Sequence, residues 1–405
     1  MNEKISKATN AIQSELTVFT RDIIAIPSFS DEILVINRIK EEMKEIGFQG
    51  ITYDNMGNLR GSLGSGPGLL VIDAHADTVE VGNESGWKHD PFVGKLEQGI
   101  IYGRGACDQK GGLAAALYTG KVLLDLGIPE NLTYMVVVSV KEEIYEGLNW
   151  QFLVKEERIA PDAVILSEPS NLDIIIGQRG RADVKVRTFG ISSHGATPDN
   201  GVNAIYKIAP IILEIKELHE KLVSDPIFGK ASITVTKIDS TAPAINAVAD
   251  GATIHLDRRL NRDETDKTVL TEIRALPSVK LSDAEVFIPE YEYTSPNGLS
   301  YPIRAYYPTW KLEADHPLVQ SAIKAYKNQF SKEPRLGYWP FSTNGAATKG
   351  LFDIPTIGFG PGNPKYAHTT DDQVPVDHLL RAVEYYSAFT MSWKNGERTI
   401  HENSA

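Results

Sequence analysis

Four short runs of almost wholly apolar, β-forming residues constrain the fold of this chain more than any other feature. They lie at residues 69–72, 134–138, 163–166 and 354–357. A strand that is apolar on both faces has to be covered on both faces, which is typical of a largely parallel sheet with helices on either side. The sequence therefore predicts an α/β domain built in layers.

Helical patterns lie before and between these runs. Apolar residues recur at spacings of three and four from residue 5 to residue 24, which predicts one amphipathic helix there. A serine and two acids at 30–32 mark the start of a second helix. Residues 111–126 and 317–330 predict two more helices, and their alternation with buried strands favours the layered α/β architecture.

The middle of the chain has a different pattern of polar and apolar residues. Polar and apolar residues alternate at 181–187, 232–236 and 253–257, as in an antiparallel sheet with one solvated face. Helical patterns at 202–222 and 264–275 interleave with them, giving the order β-α-β-β-α-β of a split βαβ unit. We therefore expect an inserted α+β lid domain at 181–312 and a catalytic domain formed by 1–180 plus 313–405. The tyrosine-rich stretch 290–310 has no pattern that assigns it a fold.

Charge and cysteine content narrow the functional classes. With 41 Lys and Arg against 53 Asp and Glu the net charge is −12, which argues against nucleic acid as a partner. The single cysteine, Cys107, fits a reducing compartment. The sequence starts with an amphipathic pattern and contains no apolar run long enough to span a bilayer. We expect a soluble, cytoplasmic protein with neither a nucleic-acid nor a membrane partner.

The segment after the first apolar run contains His75 and Asp77. Residues two apart in an extended chain point to the same side, so the Asp77 carboxylate can approach the His75 ring and fix a metal-bound imidazole. A lone His-x-Asp is more often a surface or capping pair. Asp108 also has two possible roles. It precedes the helical pattern at 111–126 and is there either a helix cap or a metal ligand.

Acids and a histidine also follow the other apolar runs. Glu142 and Glu143 follow 134–138, Glu168 follows 163–166, and His368 follows 354–357. Each alone is read as a solvated charge or a loop histidine. Because the carboxyl ends of strands in open α/β sheets form ligand sites, their recurrence at four such ends favours a shared site. We expect Glu142 and Glu143 to point in opposite directions from an extended backbone, one towards a cation and one free.

Taken together, the set resembles the zinc-dependent amidohydrolase and peptidase family of acetylornithine deacetylase, succinyl-diaminopimelate desuccinylase, aminoacylase and the glutamate carboxypeptidases. The motifs that carry the resemblance are His75-Ala76-Asp77, Tyr102-Gly103-Arg104-Gly105, Asp108, Glu142-Glu143, Glu168-Pro169, Ser193-His194 and His368. Within that family the segments 75–79, 108–112 and 342–345 resemble YgeY-like hydrolases linked to selenium metabolism. The resemblance covers nearly the whole chain.

The resemblance implies two Zn²⁺ ions per subunit, with Co²⁺ or Mn²⁺ as substitutes. Asp108 would bridge the ions, His75 and Glu168 would complete one, and Glu143 and His368 would complete the other. Imidazole and carboxylate ligands suit zinc. Glu142 would be the general base, and Asp77 would orient His75.

The resemblance also implies substrate contacts outside the metal ligands. His194 in the lid would help to stabilise an oxyanion across a homodimer formed through the lid domain. Asn246 would be a further polar contact, Gly360 would bring backbone N–H groups to a substrate carboxylate, and either Arg258 or Arg259 would bind that carboxylate. For both arginines, ion pairing within the lid is an equally good interpretation.

The leading hypothesis is a dinuclear zinc hydrolase that cleaves the amide bond of a small N-acyl amino acid, as acetylornithine deacetylase does. The alternatives are a metallo-dipeptidase or carboxypeptidase of the same family, and a non-catalytic ligand-binding relative. A two-metal enzyme that cleaves phosphate esters is disfavoured by the charge of −12 and the lack of a phosphate-binding loop motif.

Overall fold

The computed structural model describes residues 1–393 and contains the helices that the sequence predicts, with one difference at the N-terminus. The helix expected over 5–24 is two helices, Asn2–Ala11 and Gln13–Ile24, because the backbone bends at Ile12. Ile12 is buried at the bend, so the apolar spacing continues across it although the helix does not. The remaining α-helices are Ile33–Ile46, Gly111–Leu126, Leu148–Lys155, Ala204–Lys221, Asp266–Arg274, Pro277–Leu281, Pro317–Phe330 and Val376–Ser392.

The four apolar runs form the centre of a nine-stranded mixed sheet. From one edge, its strands are Gln49–Tyr53, Leu59–Leu63, Leu132–Ser139, Gly68–His75, Ala163–Leu166, Thr356–Gly358, Ile174–Gln178 and Trp310–Lys311, and Leu336–Trp339 also pairs with Ile174–Gln178. The four central strands run parallel. Their carboxyl ends therefore meet at one edge of the sheet.

Alternate residues of the central strands enter two separate apolar layers. Leu70 and Ile72 join the core formed with the N-terminal helices and with Gly111–Leu126 and Val376–Ser392. Val71 lies in the second core, with Trp150 and Trp339 on the opposite face. The sheet is thus covered on both faces, which is why its strands lack polar alternation. The predicted α/β class is confirmed.

The inserted segment forms a separate antiparallel sheet covered by helices on one face. Its strands, in spatial order, are Ser232–Thr241, Gly251–Leu260, Gly180–Phe189 and Glu285–Phe287, with Tyr306–Tyr307 also pairing Gly180–Phe189. Val184 and Leu256 face the helices, while Asp183 and His255 lie on the more exposed face. The observed order is the predicted β-α-β-β-α-β. The domain limits at 181 and 312 stay a prediction, and residues 394–405 of the proposed catalytic domain lie outside the described residues.

The tyrosine-rich stretch forms a β-hairpin of Glu290–Thr294 and Ser300–Arg304. Its Tyr291 and Tyr293 rings lie 6.3 and 6.2 Å from the ring of Tyr145. The hydroxyl of Ser295 donates to the backbone oxygen of Asn55 at 2.8 Å. The hairpin therefore connects the lid to the part of the catalytic domain that carries Glu142 and Glu143.

Two smaller sheets complete the architecture. Lys95–Glu97, Ile100–Tyr102 and Gln373–Pro375 form a three-stranded antiparallel sheet, and Ser224–Asp225 pairs with Gly229–Lys230. The pairing of Gln373 with Tyr102 brings the segment after His368 beside the segment before Asp108. Across residues 1–393, none of the helices combines the length and the hydropathy that a membrane-spanning helix needs.

Candidate metal centre

The predicted ligands and the predicted general base converge at the carboxyl edge of the parallel strands. His75 is the last residue of its strand, while Glu142 and Glu168 lie just beyond the ends of the two neighbouring strands. The His75 Nε2 atom is 3.9 Å from a Glu142 oxygen and 3.7 Å from a Glu168 oxygen. All three residues are buried, so the strand topology gathers imidazole and carboxylates in a place sheltered from water.

His75 has one ring nitrogen engaged and the other directed at an acid. Its Nδ1 atom lies 2.9 Å from the backbone oxygen of Asp77, and a carbonyl oxygen can only accept, so Nδ1 carries the hydrogen. Nε2 then faces an oxygen of Asp108 at 3.0 Å. Burial opposes a charge on the ring, but the hydrogen bond with Asp108 and the nearby carboxylates raise the pKa of His75 well above 6.5.

Asp108 offers a different oxygen to each of two histidines. Oδ1 faces His75, and Oδ2 lies 3.4 Å from Nε2 of His368. His368 Nε2 is also 2.9 Å from a Glu143 oxygen. Burial by itself raises the pKa of the Asp108 carboxyl. The hydrogen bonds with His368 and His75 lower the pKa by more than burial raises it, so it lies below its usual range. The carboxylate is therefore charged and lies between the two imidazoles.

The buried glutamates of the cluster have raised pKa values, which favours the binding of cations. Burial, followed by the charge of the neighbouring Glu168, raises the pKa of Glu142 well above its ordinary value. Burial and Asp108 do the same for Glu168. Hydrogen bonds with Asp108 and Glu143 raise the pKa of His368 to about 10. In the absence of a cation, protons have to be shared among these groups to limit repulsion.

The donor set suits divalent cations, and His75 belongs to two overlapping groups of potential ligands. Ligand atoms of His75, Asp108 and Glu143 lie within 4.8 Å of one another, as do those of His75, Glu142 and Glu168. One oxygen of Glu142 and one of Glu143 are buried without a hydrogen-bond partner. Oxygen and imidazole donors of this kind suit zinc and other divalent transition metals.

Asp77 supports the site differently from the expectation. Its carboxylate oxygen is 3.6 Å from His75 Nδ1, and the hydrogen bond to the ring comes from the backbone oxygen instead. The carboxylate accepts from the backbone N–H of Glu142 at 3.2 Å and of Glu143 at 3.0 Å. The Asp77 carboxylate thus lies beside the His75 ring, as expected, but the hydrogen bond that orients the ring goes to the Asp77 backbone oxygen. The carboxylate itself holds the turn that bears the two glutamates.

That turn, residues 141–147, is not the extended segment that we expected for Glu142 and Glu143. It is held at three further points: Lys141 pairs with Glu32 at 2.9 Å, Glu146 with Arg181 at 2.8 Å, and the Gly147 N–H donates to Asn344 Oδ1 at 2.8 Å. Both glutamates point towards the histidines, one near each of them. The turn thus presents two carboxylates to one site.

The predicted lid contacts lie apart from this cluster. His194 and Asn246 are neighbours, since the Gly195 N–H donates to the Asn246 oxygen at 2.7 Å and His194 pairs with Ala247. Both side chains are exposed. Among the described contacts, none joins either residue to the metal-ligand cluster within this chain. The structure therefore places them on the surface of the lid.

The two candidate arginines have different environments. Arg258 is buried and pairs with Glu264 and, at 3.4 Å, with Glu272. Its guanidinium also donates to the backbone oxygen of Arg259 at 2.8 Å. This corrects the expectation for Arg258, which is held inside the lid and has no open face for a substrate. Arg259 points to the other face of the strand, is 33% exposed and is held by Asp257 through two hydrogen bonds of 2.8 and 3.1 Å.

Gly360 also differs from the expectation. Its N–H donates to the Ser170 hydroxyl at 3.0 Å and is not free for a substrate carboxylate. A Cβ at this position would lie 2.3 Å from the backbone oxygen of Glu168. Gly360 is therefore needed for close packing of two backbones, and it supports the Glu168 segment.

Sequence reasoning assigned no role to three buried polar residues that support the ligands. Asn344 donates to Asp73 at 2.8 Å, and burial raises the pKa of that aspartate to about 6. Lys110 donates to the Ile26 oxygen at 2.7 Å, and burial lowers its pKa to about 7. Asp372 accepts from Arg104 at 3.0 Å. The only sequence signals were the positions of Lys110 and Asn344 in the segments 108–112 and 342–345, and that of Asp372 four residues after His368.

Comparison with known proteins identifies the family. The model of "Peptidase family M20/M25/M40" matches residues 71–392. This chain is a member of the M20 peptidase family. M20 relatives include the YgeY protein of Escherichia coli (strain K12), which is 43% identical over 382 residues, covering 94% of this chain and 95% of that protein. The predicted family and the YgeY-like resemblance are confirmed.

Two further similarities concern activity and metal. The succinyl-diaminopimelate desuccinylase of Methylorubrum populi is 28% identical, covering 90% of this chain and 94% of that protein. The fold matches Bacillus subtilis YxeP, a dinuclear metal-binding M20 peptidase, with a TM-score of 0.68 at 14% identity, over 94% of this chain and 98% of that chain. This M20 chain is accordingly a metal-dependent hydrolase acting on amide or peptide bonds.

Proposed function

We propose that this M20 hydrolase uses two Zn²⁺ ions to cleave the amide bond of a small N-acyl amino acid. The observation that carries the proposal is the position of Asp108, whose two oxygens face His75 at 3.0 Å and His368 at 3.4 Å. A carboxylate between two separate imidazoles is suited to bridging two ions. The similarity to a desuccinylase, which removes an acyl group, favours a deacylase.

In this proposal Asp108 would be a ligand of both ions, His75 and Glu168 would hold one of them, and Glu143 and His368 would hold the other. Co²⁺ and Mn²⁺ are expected to substitute, since they accept the same ligands. When bound, the ions would polarise the substrate carbonyl and lower the pKa of a water molecule. The buried, unpartnered oxygens of Glu142 and Glu143 support a cationic occupant.

Glu142 is proposed as the general base and later the general acid. Its backbone N–H is fixed by the Asp77 carboxylate, which sets the position of the turn. Burial and the neighbouring acids raise the pKa of Glu142, which makes it a stronger base than an ordinary carboxylate. Such a group can take a proton from water and return it to the leaving amine. Asp77 acts through position, by holding His75 and this turn.

The substrate carboxylate is proposed to bind Arg259, the more accessible of the two arginines. His194 and Asn246 are proposed to contact the substrate from the lid of a second subunit. Large apolar side chains exposed around them support a homodimer through this face: Phe189, Ile191, Val202, Ile205, Tyr206 and Ile245. An exposed apolar patch of this kind is typical of a protein interface. The cytoplasmic location stays a prediction.

A metallo-dipeptidase or carboxypeptidase is the second candidate, favoured by the peptidase family that the chain matches. The deciding experiment incubates zinc-loaded protein with N-acyl amino acids, N-carbamoyl amino acids and dipeptides, and follows each by mass spectrometry. Hydrolysis confined to acylated amino acids supports the proposal. Cleavage of dipeptides alone establishes the peptidase. Survival of every compound with zinc bound favours a substrate outside these classes or a non-catalytic binding protein.

The role of Glu142 has its own test. E142Q is expected to lower kcat by about 10²–10⁴-fold while both ions remain bound, because general acid–base catalysis contributes that much. E42Q is a matched control, since Glu42 is a buried glutamate that binds Arg38 and Tyr118 in the N-terminal core. Near-normal turnover by E142Q would show that another group is the base.

A further inference from the structure

The buried side chain of Asp372 accepts hydrogen bonds from several residues of the loop that precedes Asp108. One of its oxygens accepts from Arg104 at 3.0 Å and from the Gly105 N–H at 2.7 Å, and the other accepts from the Cys107 N–H at 2.8 Å. Its backbone oxygen accepts from the Gly103 N–H at 3.0 Å. The residue is 1% exposed, so these four bonds form without competition from water.

Asp372 belongs to the same segment as one predicted ligand and binds the segment that leads to another. His368 lies four residues before it, and Asp108 directly follows Cys107. The antiparallel pairing of Gln373 with Tyr102 fixes the two segments side by side. A single carboxylate therefore sets the spacing between His368 and Asp108, whose facing atoms are 3.4 Å apart.

The loop needs such a partner because its backbone is unusual. Gly105 has a φ of +85°, in the left-handed region, and a Cβ there would lie 2.7 Å from the Thr78 side chain. The N–H groups of this buried loop are turned inward to Asp372 and not to a helix or sheet. A buried N–H that loses its acceptor carries a desolvation cost, so the loop shape depends on both oxygens of Asp372.

We propose that Asp372 is a positioning residue for the metal held by His368, Glu143 and Asp108. This rests on the proposed function, since it assumes that those residues bind a metal. Asp372 is not itself assigned as a ligand, because both of its carboxylate oxygens are occupied by Arg104 and by backbone N–H groups. It holds two of the ion's ligands, Asp108 and His368, at the separation that allows both to bind it, as supporting partners around metal ligands commonly do.

Asparagine at this position tests the role while preserving shape. In D372N one oxygen becomes an NH₂ group, which faces N–H donors and cannot accept from them. At least one of the bonds to Gly105 or Cys107 is then lost. We expect D372N to weaken the binding of the Zn²⁺ ion assigned to His368 and Glu143 by about 10–100-fold. The other ion should be weakened less, because it shares only Asp108 with the displaced loop.

The measurement is a Zn²⁺ titration of metal-stripped full-length protein against a chromophoric chelator, with thermal unfolding recorded in parallel. The matched control is D54N, because Asp54 is also buried and accepts from two backbone N–H groups, those of Gly57 and Asn58, in a turn outside the metal cluster. D54N is expected to lower the melting temperature without changing either zinc affinity. Excess Zn²⁺ is expected to restore the activity of D372N.

If D372N binds both ions more weakly by the same factor, or binds both with unchanged affinity, the positioning role is overturned. The wild-type titration would in either case still support a site for two ions. Wild-type protein that binds no zinc would overturn the proposed function and the positioning role together. If D372N does not fold, R104Q takes its place. It removes one of the bonds to Asp372 but keeps those of Gly105 and Cys107, and selective weakening of the same ion is again expected, to a smaller extent.

Discussion

Zinc is expected to raise the melting temperature of chelator-treated protein by about 6 °C. Each ion present at a hundred times its dissociation constant stabilises the fold by about 2.7 kcal/mol, so two ions contribute about 5 kcal/mol. Treated as one cooperative transition, a chain of 405 residues has an unfolding entropy of about 0.85 kcal/mol per kelvin. The ratio of these two quantities gives the expected shift.

The structural reason for this gain is the crowding of charge in the site. Burial and neighbouring carboxylates raise the pKa values of Glu142 and Glu168, and an ion removes that repulsion. The variant H368A distinguishes the contributions of the two ions to the melting temperature. The His368 side chain is 52% exposed, so its loss removes a ligand with little loss of packing, and the zinc-induced shift is expected to fall to about 3 °C.

The assay is differential scanning calorimetry on EDTA-treated, dialysed protein with and without buffered free Zn²⁺, at pH 7.5. Mg²⁺ at the same concentration is the control, because it retains its waters and prefers oxygen ligands. An unchanged melting temperature with zinc would refute the metal site. A full shift in H368A would refute the assignment of His368 as a ligand.

Two other predictions concern pH and the lid. Because the pKa of His368 is raised from 6.5 to about 10 in the metal-free fold, it contributes stability that is complete below pH 6.5 and is lost as the pH rises through 10. Metal-free protein should therefore lose stability between pH 7 and pH 10 in thermal scans, while apparent zinc affinity rises over the same interval. R258M should lower the free energy of unfolding by about 3 kcal/mol in denaturant unfolding and leave kcat unchanged. This cost is at the low end of the range for breaking a buried ion pair, because Glu264 and Glu272 are partly exposed. R259M should instead raise KM, and equal kinetics in the two variants would contradict the assignment of Arg259.

The layered fold was largely predictable because its signals are local. Strands buried on both faces are apolar throughout, as at Ala163–Leu166, and the half-exposed strands of the lid alternate, as at Gly251–Leu260. The break at Ile12 was not predictable from this signal, since Ile12 remains buried and keeps the helical spacing. The tyrosine-rich hairpin was not predictable either, because its packing partner, Tyr145, lies far away in sequence.

The candidate site residues were found from the sequence because His75 ends a strand, Glu142 and Glu168 follow the neighbouring strands, and parallel strands end at one edge. The separate roles of these residues came from the resemblance to the family. The contacts that hold them were missed or misassigned. Gly360 was expected to bind substrate, but its N–H is already used by Ser170. Arg258 and Arg259 are adjacent in sequence, and only the sheet places one inside the lid and the other on its open face.

The sequence by itself determined the residue types, the strand order along the chain and the family, since these depend on periodicity and on short motifs. Only the tertiary structure decided which atoms meet: the two oxygens of Asp108 with two histidines, the Asp77 carboxylate with the turn at 142–143, and Asp372 with the loop at 103–107. These contacts join segments that are up to hundreds of residues apart. Their geometry depends on sheet register and side-chain packing, which are properties of the whole fold and not of any local window.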